Sequence, residues 1–547
     1  MPLIERDRLM IRGMFLSLSF VALVVSSVSS AEVADRPNIV IILADDMGYS
    51  DLGCYGGEIE TPHLDALARG GLRFTQFYNT ARCCPTRASL LTGLYPHQAD
   101  VGGMVNDQHI PGYRGRLNPD TPTIAEILGG GGYRTFMIGK WHVSPFDYAT
   151  HETRDPASWP INRGFTHVYS ALTGGGSYFD PRGLMRDDRF IAPEPREDYY
   201  YTDAVSDETA RYICDHAGQK TPLFMYVAYT APHWPLHAKP QDIAKYRARY
   251  RKGWDLLREE RLSRMKSLGI LDDRHRLTER DSRVRPWEKA EHKNWQAERM
   301  AVYAAQVDSM DQGIGRIVDA LRVTGQLDNT LIVFLADNGG CDEILRARET
   351  EQRKNYYHYP VDDLKAGNTA GLMPGPRDTF ASYGVGWANL SNTPFRLYKK
   401  RIHAGGIATP LIVHWPRGIR DNGSFRRQPG HVIDLLPTCL DVAGIRFPDE
   451  FNTKTPLPPE GVSLRPALTD KPLPERLIFW EHMGNAGVRQ GEWKLVREKN
   501  KPWELYNLER DPTEMVDLAE QKSRRVAEME AAYQRWARRA NVIKPEA

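Results

Sequence analysis

Cysteine is scarce in this chain: six residues (54, 83, 84, 214, 341 and 439) among 547. That is too few for a disulfide scaffold in an exported protein of this length. Excess charge of one sign is missing as well. Lys+Arg 72 against Asp+Glu 70 leaves a formal net charge of +2, so nothing global points to nucleic acid as a partner. Long apolar runs are nearly absent. The clearest, Met14 to Val28, is shorter than the ~20 residues a membrane-spanning helix needs. Arg8 and Arg12 precede it and Ser29-Ser30-Ala31 follows, the three-part pattern of a secretory signal. Residues 1–31 are therefore expected to be a signal peptide removed near Ala31, with a periplasmic or secreted product and no stable membrane insertion after cleavage. There is no internal repeat at solenoid period.

Apolar β-branched runs alternate with helical patterns. Asn38-Ile39-Val40-Ile41-Ile42-Leu43 ends in Ala44-Asp45-Asp46, and Leu331-Ile332-Val333-Phe334-Leu335 ends in Ala336-Asp337-Asn338. Leu223–Ala228, leading to Pro232-His233-Trp234-Pro235, and Pro410–Val413 fit the same sheet, as does Tyr133–Ile138 before Gly139-Lys140-Trp141-His142. Tyr303, Val307, Met310, Ile314, Ile317 and Leu321 recur at three- and four-residue steps before Gly325, which predicts an amphipathic helix and its stop. Strands alternating with such helices indicate an α/β fold with a doubly wound, mostly parallel sheet. Ligands in these sheets gather beyond the carboxyl ends of the strands, where Asp45, Asp46, Asp337, Asn338 and His233 all fall.

Residues 239–300 are dense in Arg, Lys and Glu, with Trp254, Leu257, Leu262, Met265 and Leu268 at helical spacing, and read as a solvated helical insertion. Residues 341–391 lack periodicity and carry several aromatics, which suits the rim of an active site. Past about Leu464 the texture changes. Short runs at 477–480, 493–496 and 503–506, then Val526, Met529, Tyr533 and Trp536, predict a small antiparallel sheet with one packed helix. The division expected is 32–464 for a catalytic α/β domain and 465–547 for a smaller one.

Asp45, Asp46, Asp337 and Asn338 offer hard oxygen donors, which suit Ca²⁺ or Mg²⁺ rather than zinc. Taken alone, such pairs at strand ends are more often turns. Cys83 is ambiguous on the same terms, because a buried hydrophobe, a disulfide partner or a vicinal pair with Cys84 would each explain it.

The run Cys83-Cys84-Pro85-Thr86-Arg87-Ala88-Ser89-Leu90-Leu91-Thr92-Gly93 closely resembles the signature of the type I sulfatases, which have the alkaline-phosphatase-like fold. The Asp-Asp and Asp-Asn pairs, Gly139-Lys140-Trp141-His142, Ala-Pro-His-Trp-Pro around His233, Lys399 ahead of Gly405-Gly406, and the Trp493-Lys494-Leu495-Val496 segment are similar to that family's motifs too. The resemblance spans nearly the whole mature chain. It implies that a formylglycine-generating or anaerobic maturation enzyme oxidises Cys83 to Cα-formylglycine, whose hydrate attacks sulfur. Five cysteines would then remain, so at least one thiol would stay free. It further implies a calcium ion (magnesium being the alternative) on Asp45, Asp46, Asp337, Asn338 and the oxygen at position 83.

By the same resemblance Arg87 steadies the hydrate, Lys140 contacts sulfate, and His142 takes the proton that lets sulfate leave. His233 and Lys399 would serve the leaving oxygen. Arg82, His97, Gln98, Asn106 and His403 are candidate pocket residues. Many relatives carry Glu immediately before the paired glycines, where this chain has Ala404; whatever that Glu does must be absent or supplied elsewhere. The expected substrate is an aryl sulfate or a sulfated oligosaccharide. A phosphomonoester or phosphonate hydrolase, and a non-catalytic binder of sulfated glycans, are the two other readings.

Overall fold

The computed structural model describes residues 36–147 and 155–542; the signal-peptide expectation for 1–31 lies outside them. Seven strands form the body of the main sheet: β1 (Asn38–Ala44), β2 (Leu72–Tyr78), β3 (Arg134–Lys140), β4 (His167–Ala171), β5 (Leu223–Ala228), β6 (Thr330–Ala336) and β7 (Ala408–His414). They lie in the order β2-β7-β6-β1-β5-β3-β4. β1 runs parallel to β5 and β6, and β3 parallel to β5 and β4. β7 is reversed, antiparallel to both β6 and β2, with a register shift at Pro410. Proline has no N–H for the ladder, so a strand carrying it internally bulges there.

β1 shows why its sequence is apolar throughout rather than alternating. Val40 and Ile42 enter one core while Ile39, Ile41 and Leu43 enter another on the opposite face, so the sheet is covered on both sides. Each fully buried isoleucine contributes about 1.5–3 kcal/mol. The long helix Lys293–Val323 covers one face with Tyr303, Val307, Met310, Ile314, Ile317 and Leu321, all buried. It stops at Thr324, and Gly325 follows with φ +71°, a left-handed turn that glycine adopts without strain. Helices Cys83–Thr92 and Leu435–Ala443 lie on the other face.

Four strands, β8 (Leu477–His482), β9 (Asn485–Gln490), β10 (Trp493–Arg497) and β11 (Glu504–Asn507), form an antiparallel meander, and helix Ser523–Arg539 packs Met529, Tyr533 and Trp536 against it. The segment 239–300 differs from the solvated insertion expected of it. Its helix Trp254–Ser267 buries Arg258 and Arg261 along with Trp254, Leu257 and Met265, because Arg261 is drawn inward to Asp51 and Glu58. All six cysteines carry free thiols, five of them buried. Among the described residues no helix is long and apolar enough to cross a membrane.

Candidate active site

Strand register assembles the site. Ala44 pairs with Ala336, so Asp45 and Asp337, next along β1 and β6, leave the sheet side by side. The Asp337 N–H donates to the Ala44 carbonyl at 3.0 Å. Asp46 then turns with φ +62°, a backbone state that costs a non-glycine residue of order 1–3 kcal/mol and clusters at functional sites. Its loop is braced from behind. Asp51 accepts from Gly48 N–H (2.9 Å) and Tyr303 OH (2.7 Å), and Arg261 grips Asp51 at 2.7 Å and Glu58 at 2.7 Å, wholly buried.

Cys83 is the first residue of a helix whose every side chain, Cys83 to Thr92, is buried. Thr86 ties this helix to the end of β6 by donating to the Asp337 carbonyl at 2.6 Å. One turn beyond Cys83, the Arg87 guanidinium donates to Asp337 Oδ2 from Nε (3.1 Å) and Nη2 (2.8 Å), to Asp45 Oδ2 (3.1 Å) and to the Lys140 carbonyl (2.7 Å). Arg87 is thus committed to holding the carboxylates in place.

Gly139, next to last in β3, has φ +99°, and an added Cβ would stand 2.0 Å from the Ala228 carbonyl oxygen. Only glycine fits, and the chain then turns Lys140 onto Asp45, with which it forms a buried ion pair. His142, also at positive φ (+55°), places Nε2 3.3 Å from Cys84 Sγ. Burial holds the His142 imidazole down to a pKa of about 3, so it is neutral across ordinary pH.

Lys399 Nζ meets Asp46 at 2.6 Å (Oδ1) and 2.9 Å (Oδ2). Burial opposes charge on both groups, yet each holds the other ionised: the Lys399 pKa is raised and that of Asp46 lowered. Burial and the neighbouring Asp45 carboxylate push Asp337 up. Asn338 Nδ2 donates to Asp46 Oδ1 at 2.7 Å. His233 donates from Nδ1 to the Trp234 carbonyl (2.6 Å), leaving Nε2 3.5 Å from Asp46. Burial lowers its pKa.

Two buried oxygens, Asp45 Oδ1 and Asn338 Oδ1, have no hydrogen-bond partner. Orphaned acceptors among three carboxylates are costly unless a cation completes them. Asp45, Asp46 and His233 bring ligand atoms within 4.8 Å of one another, and the oxygens of Asp337 and Asn338 add to an oxygen-rich set that suits a hard divalent ion.

Above these groups opens a cavity of about 470 Å³. Cys83, His142, His233 and Lys399 line it, joined by Arg82 and Asn106 from the candidate list. His97, Gln98 and His403 do not: they are taken up by Glu481 (2.7 Å), Glu460 (2.7 Å) and Glu504 (3.0 Å). Sequence reasoning missed Glu343 and Arg353 at the rim. Glu343 accepts from Trp234 Nε1 at 2.9 Å and pairs with Lys400. Burial works against its charge, but Lys399, Arg82 and Lys400 hold its carboxyl below the usual range. Both lie in the aperiodic stretch 341–391, where no spacing marks them. A carboxylate does stand beside Ala404. Glu514, buried against Lys494, accepts the Ala404 N–H at 3.0 Å.

The family model described as Sulfatase matches residues 37–445. The chain belongs to the sulfatase family. A second model, N-sulphoglucosamine sulphohydrolase, C-terminal, matches residues 394–535 of this sulfatase. An arylsulfatase of Klebsiella aerogenes is 35% identical over 462 residues, covering 81% of this chain and 94% of its own. An uncharacterised sulfatase of Schizosaccharomyces pombe is 32% identical, with 88% and 90% covered. Among solved structures, Ps i-CgsB in complex with k-i-k-neocarrahexaose is 25% identical at a TM-score of 0.64, with 92% and 93% covered. This sulfatase is accordingly a sulfuric ester hydrolase, with the α/β fold of those neighbours.

Proposed function

We propose that this sulfatase cleaves aryl or carbohydrate sulfate monoesters with an aldehyde made from Cys83 and a divalent cation held by Asp45, Asp46, Asp337 and Asn338. The observation that carries this reading is the pair of orphaned buried oxygens, Asp45 Oδ1 and Asn338 Oδ1, in an oxygen-rich cluster tied to the Cys83 helix through Thr86 and Arg87. Calcium, or magnesium in its place, would supply positive charge against the sulfuryl oxygens. The hydrated aldehyde would supply two hydroxyls on one carbon, one to attack sulfur and one to expel sulfate internally, where a serine ester would need water.

The chain's own residues do the rest. Lys399 brings a buried ammonium group to the cavity, and Lys140, paired with Asp45 beneath it, would add a second positive charge on the sulfate side, where preorganised charge counts most. Arg87 keeps Asp45 and Asp337 at fixed separation. His142, neutral by burial, takes a proton from the group at position 83. His233 has Nδ1 committed to the Trp234 carbonyl, so Nε2 exchanges the proton with the leaving oxygen, helped by Lys399.

The N-acetylglucosamine-6-O-sulfatase of Bacteroides thetaiotaomicron, 25% identical over 553 residues, supports sugar sulfates beside aryl sulfates. Residues 1–31 would direct export, a maturation enzyme would act on Cys83 during synthesis, and the mature chain would divide near 464. Rates on paired aryl sulfate and aryl phosphate test the reaction: sulfate should be strongly preferred, and a clear preference for phosphate would overturn the assignment.

A further inference from the structure

The catalytic cavity does not end at its rim. A groove of about 700 Å³ runs on from it, and Met104 and Asn106 line both. One wall is the loop from Gly102 to Tyr113. The other is built by the C-terminal sheet, from the β8–β9 turn at Met483 and Gly484 and the β10–β11 turn at Glu498 to Lys501. The walls are tied at their base by the buried His97–Glu481 contact of 2.7 Å, so the groove is built in advance.

Its chemistry differs from that of the cavity. Lys400, Arg401, Lys499 and Lys501 line it against Glu481 and Glu498. Glu481 is taken by His97 and the Gly484 N–H, and Glu498 by Arg401 (2.9 Å) and Lys501 (2.7 Å). Lys499 is exposed and has no acidic partner among the described residues. Met483 stands 59% exposed at the turn, an apolar platform beside amide side chains such as Asn106 and Gln108. A small aryl sulfate bound over Cys83 would leave these groups uncontacted.

Building on the sulfatase reading above, we propose that this groove is a second binding site, for the sugar units joined to the sulfated one, and that it favours an oligosaccharide whose flanking unit carries a further sulfate or carboxylate. Met483 would pack on a sugar face, and Lys499 and Lys501 would meet the anion.

The test is titration calorimetry on the full-length Cys83→Ala chain, which binds without turnover and so stands even if the sulfatase reading fails. Hexasaccharides from carrageenan, chondroitin sulfate and heparin are compared with their sulfated monosaccharides. At least one hexasaccharide should bind about tenfold tighter than its monosaccharide, and Lys499→Glu with Lys501→Glu should remove about that factor. The same pair of changes in the otherwise unmodified enzyme should leave kcat/KM on 4-nitrophenyl sulfate unchanged. The proposal is overturned if no hexasaccharide outbinds its monosaccharide, if the charge-reversed chain keeps the preference, or if aryl sulfate turnover falls in step.

Discussion

At the floor of the cavity Arg87, Lys140 and Lys399 have side chains 0–2% exposed, and each is matched to a buried Asp45, Asp46 or Asp337. At the rim Arg353 and Glu349 form the same kind of pair at 2.6 Å, but 13% and 29% exposed, and Lys501 beyond them is 59% exposed. Removing one partner on the floor strands a charge in low dielectric, whereas water screens the loss at the rim. The floor is therefore expected to set the reaction, and the rim to vary with the leaving group.

Position 83, on the floor, is the most sensitive to change. Cys83→Ala should cut turnover by a factor on the order of 10⁴ or more, since a lost nucleophile leaves only residual binding and electrostatics. Cys84→Ala, though it touches His142 at 3.3 Å, should stay within about tenfold. Equal losses in a steady-state assay would mean that the pair acts together. Exhaustive chelation should next bring activity to background and lower the melting temperature, with calcium restoring both. Full activity in a verified metal-free sample would refute the oxygen-donor assignment.

Arg261 extends the floor away from the chemistry. Arg261→Met leaves buried Asp51 without its cation and Glu58 with Arg264 alone, and should cost about 3 kcal/mol in denaturant unfolding. A neutral result would show that the loop under Asp46 supports itself.

A pH effect follows from burial alone. Burial holds His237 at about 4 and His482 at about 3, against about 6.5 in the unfolded chain. Below pH 6.5 the unfolded chain takes up protons that the folded one refuses, so stability falls as pH falls from about 6.5 towards those values. The slope is about 1.4 kcal/mol per pH unit for each such histidine. His237→Gln should flatten the melting-temperature profile between pH 6.5 and 4, and an unchanged profile would count against a neutral buried imidazole. The smallest effect belongs to the rim: Glu349→Gln, which removes the charge of the more exposed partner of Arg353, should change stability by less than about 1 kcal/mol and appear in KM rather than in unfolding.

The same contrast explains what could be read from the sequence. Asp45, Asp46, Asp337 and Asn338 end apolar runs, and parallel pairing carries such ends to one edge, so the acidic part of the floor was legible from pattern, while Arg87, Lys140 and Lys399 were read from the family resemblance. The helix through Tyr303 and Leu321 was legible for the same reason. β9 was not, because Asn485-Ala486-Gly487-Val488-Arg489-Gln490 has little apolar content and is held by neighbours on both sides. Arg261 looked like one more solvated cation, since nothing local marks an arginine drawn inward by Asp51, 210 residues away. Glu343 and Arg353 sit on irregular backbone that no periodicity announces. Glu514 reaches Ala404 only because the C-terminal sheet docks there.

The most direct measurement is mass spectrometry of the tryptic peptide that begins at Cys83, taken from active enzyme produced in a host able to mature sulfatases. A formylglycine at that position should give the mass of an aldehyde and capture by a hydrazide probe. A fully active preparation in which the peptide carries an intact thiol would contradict it.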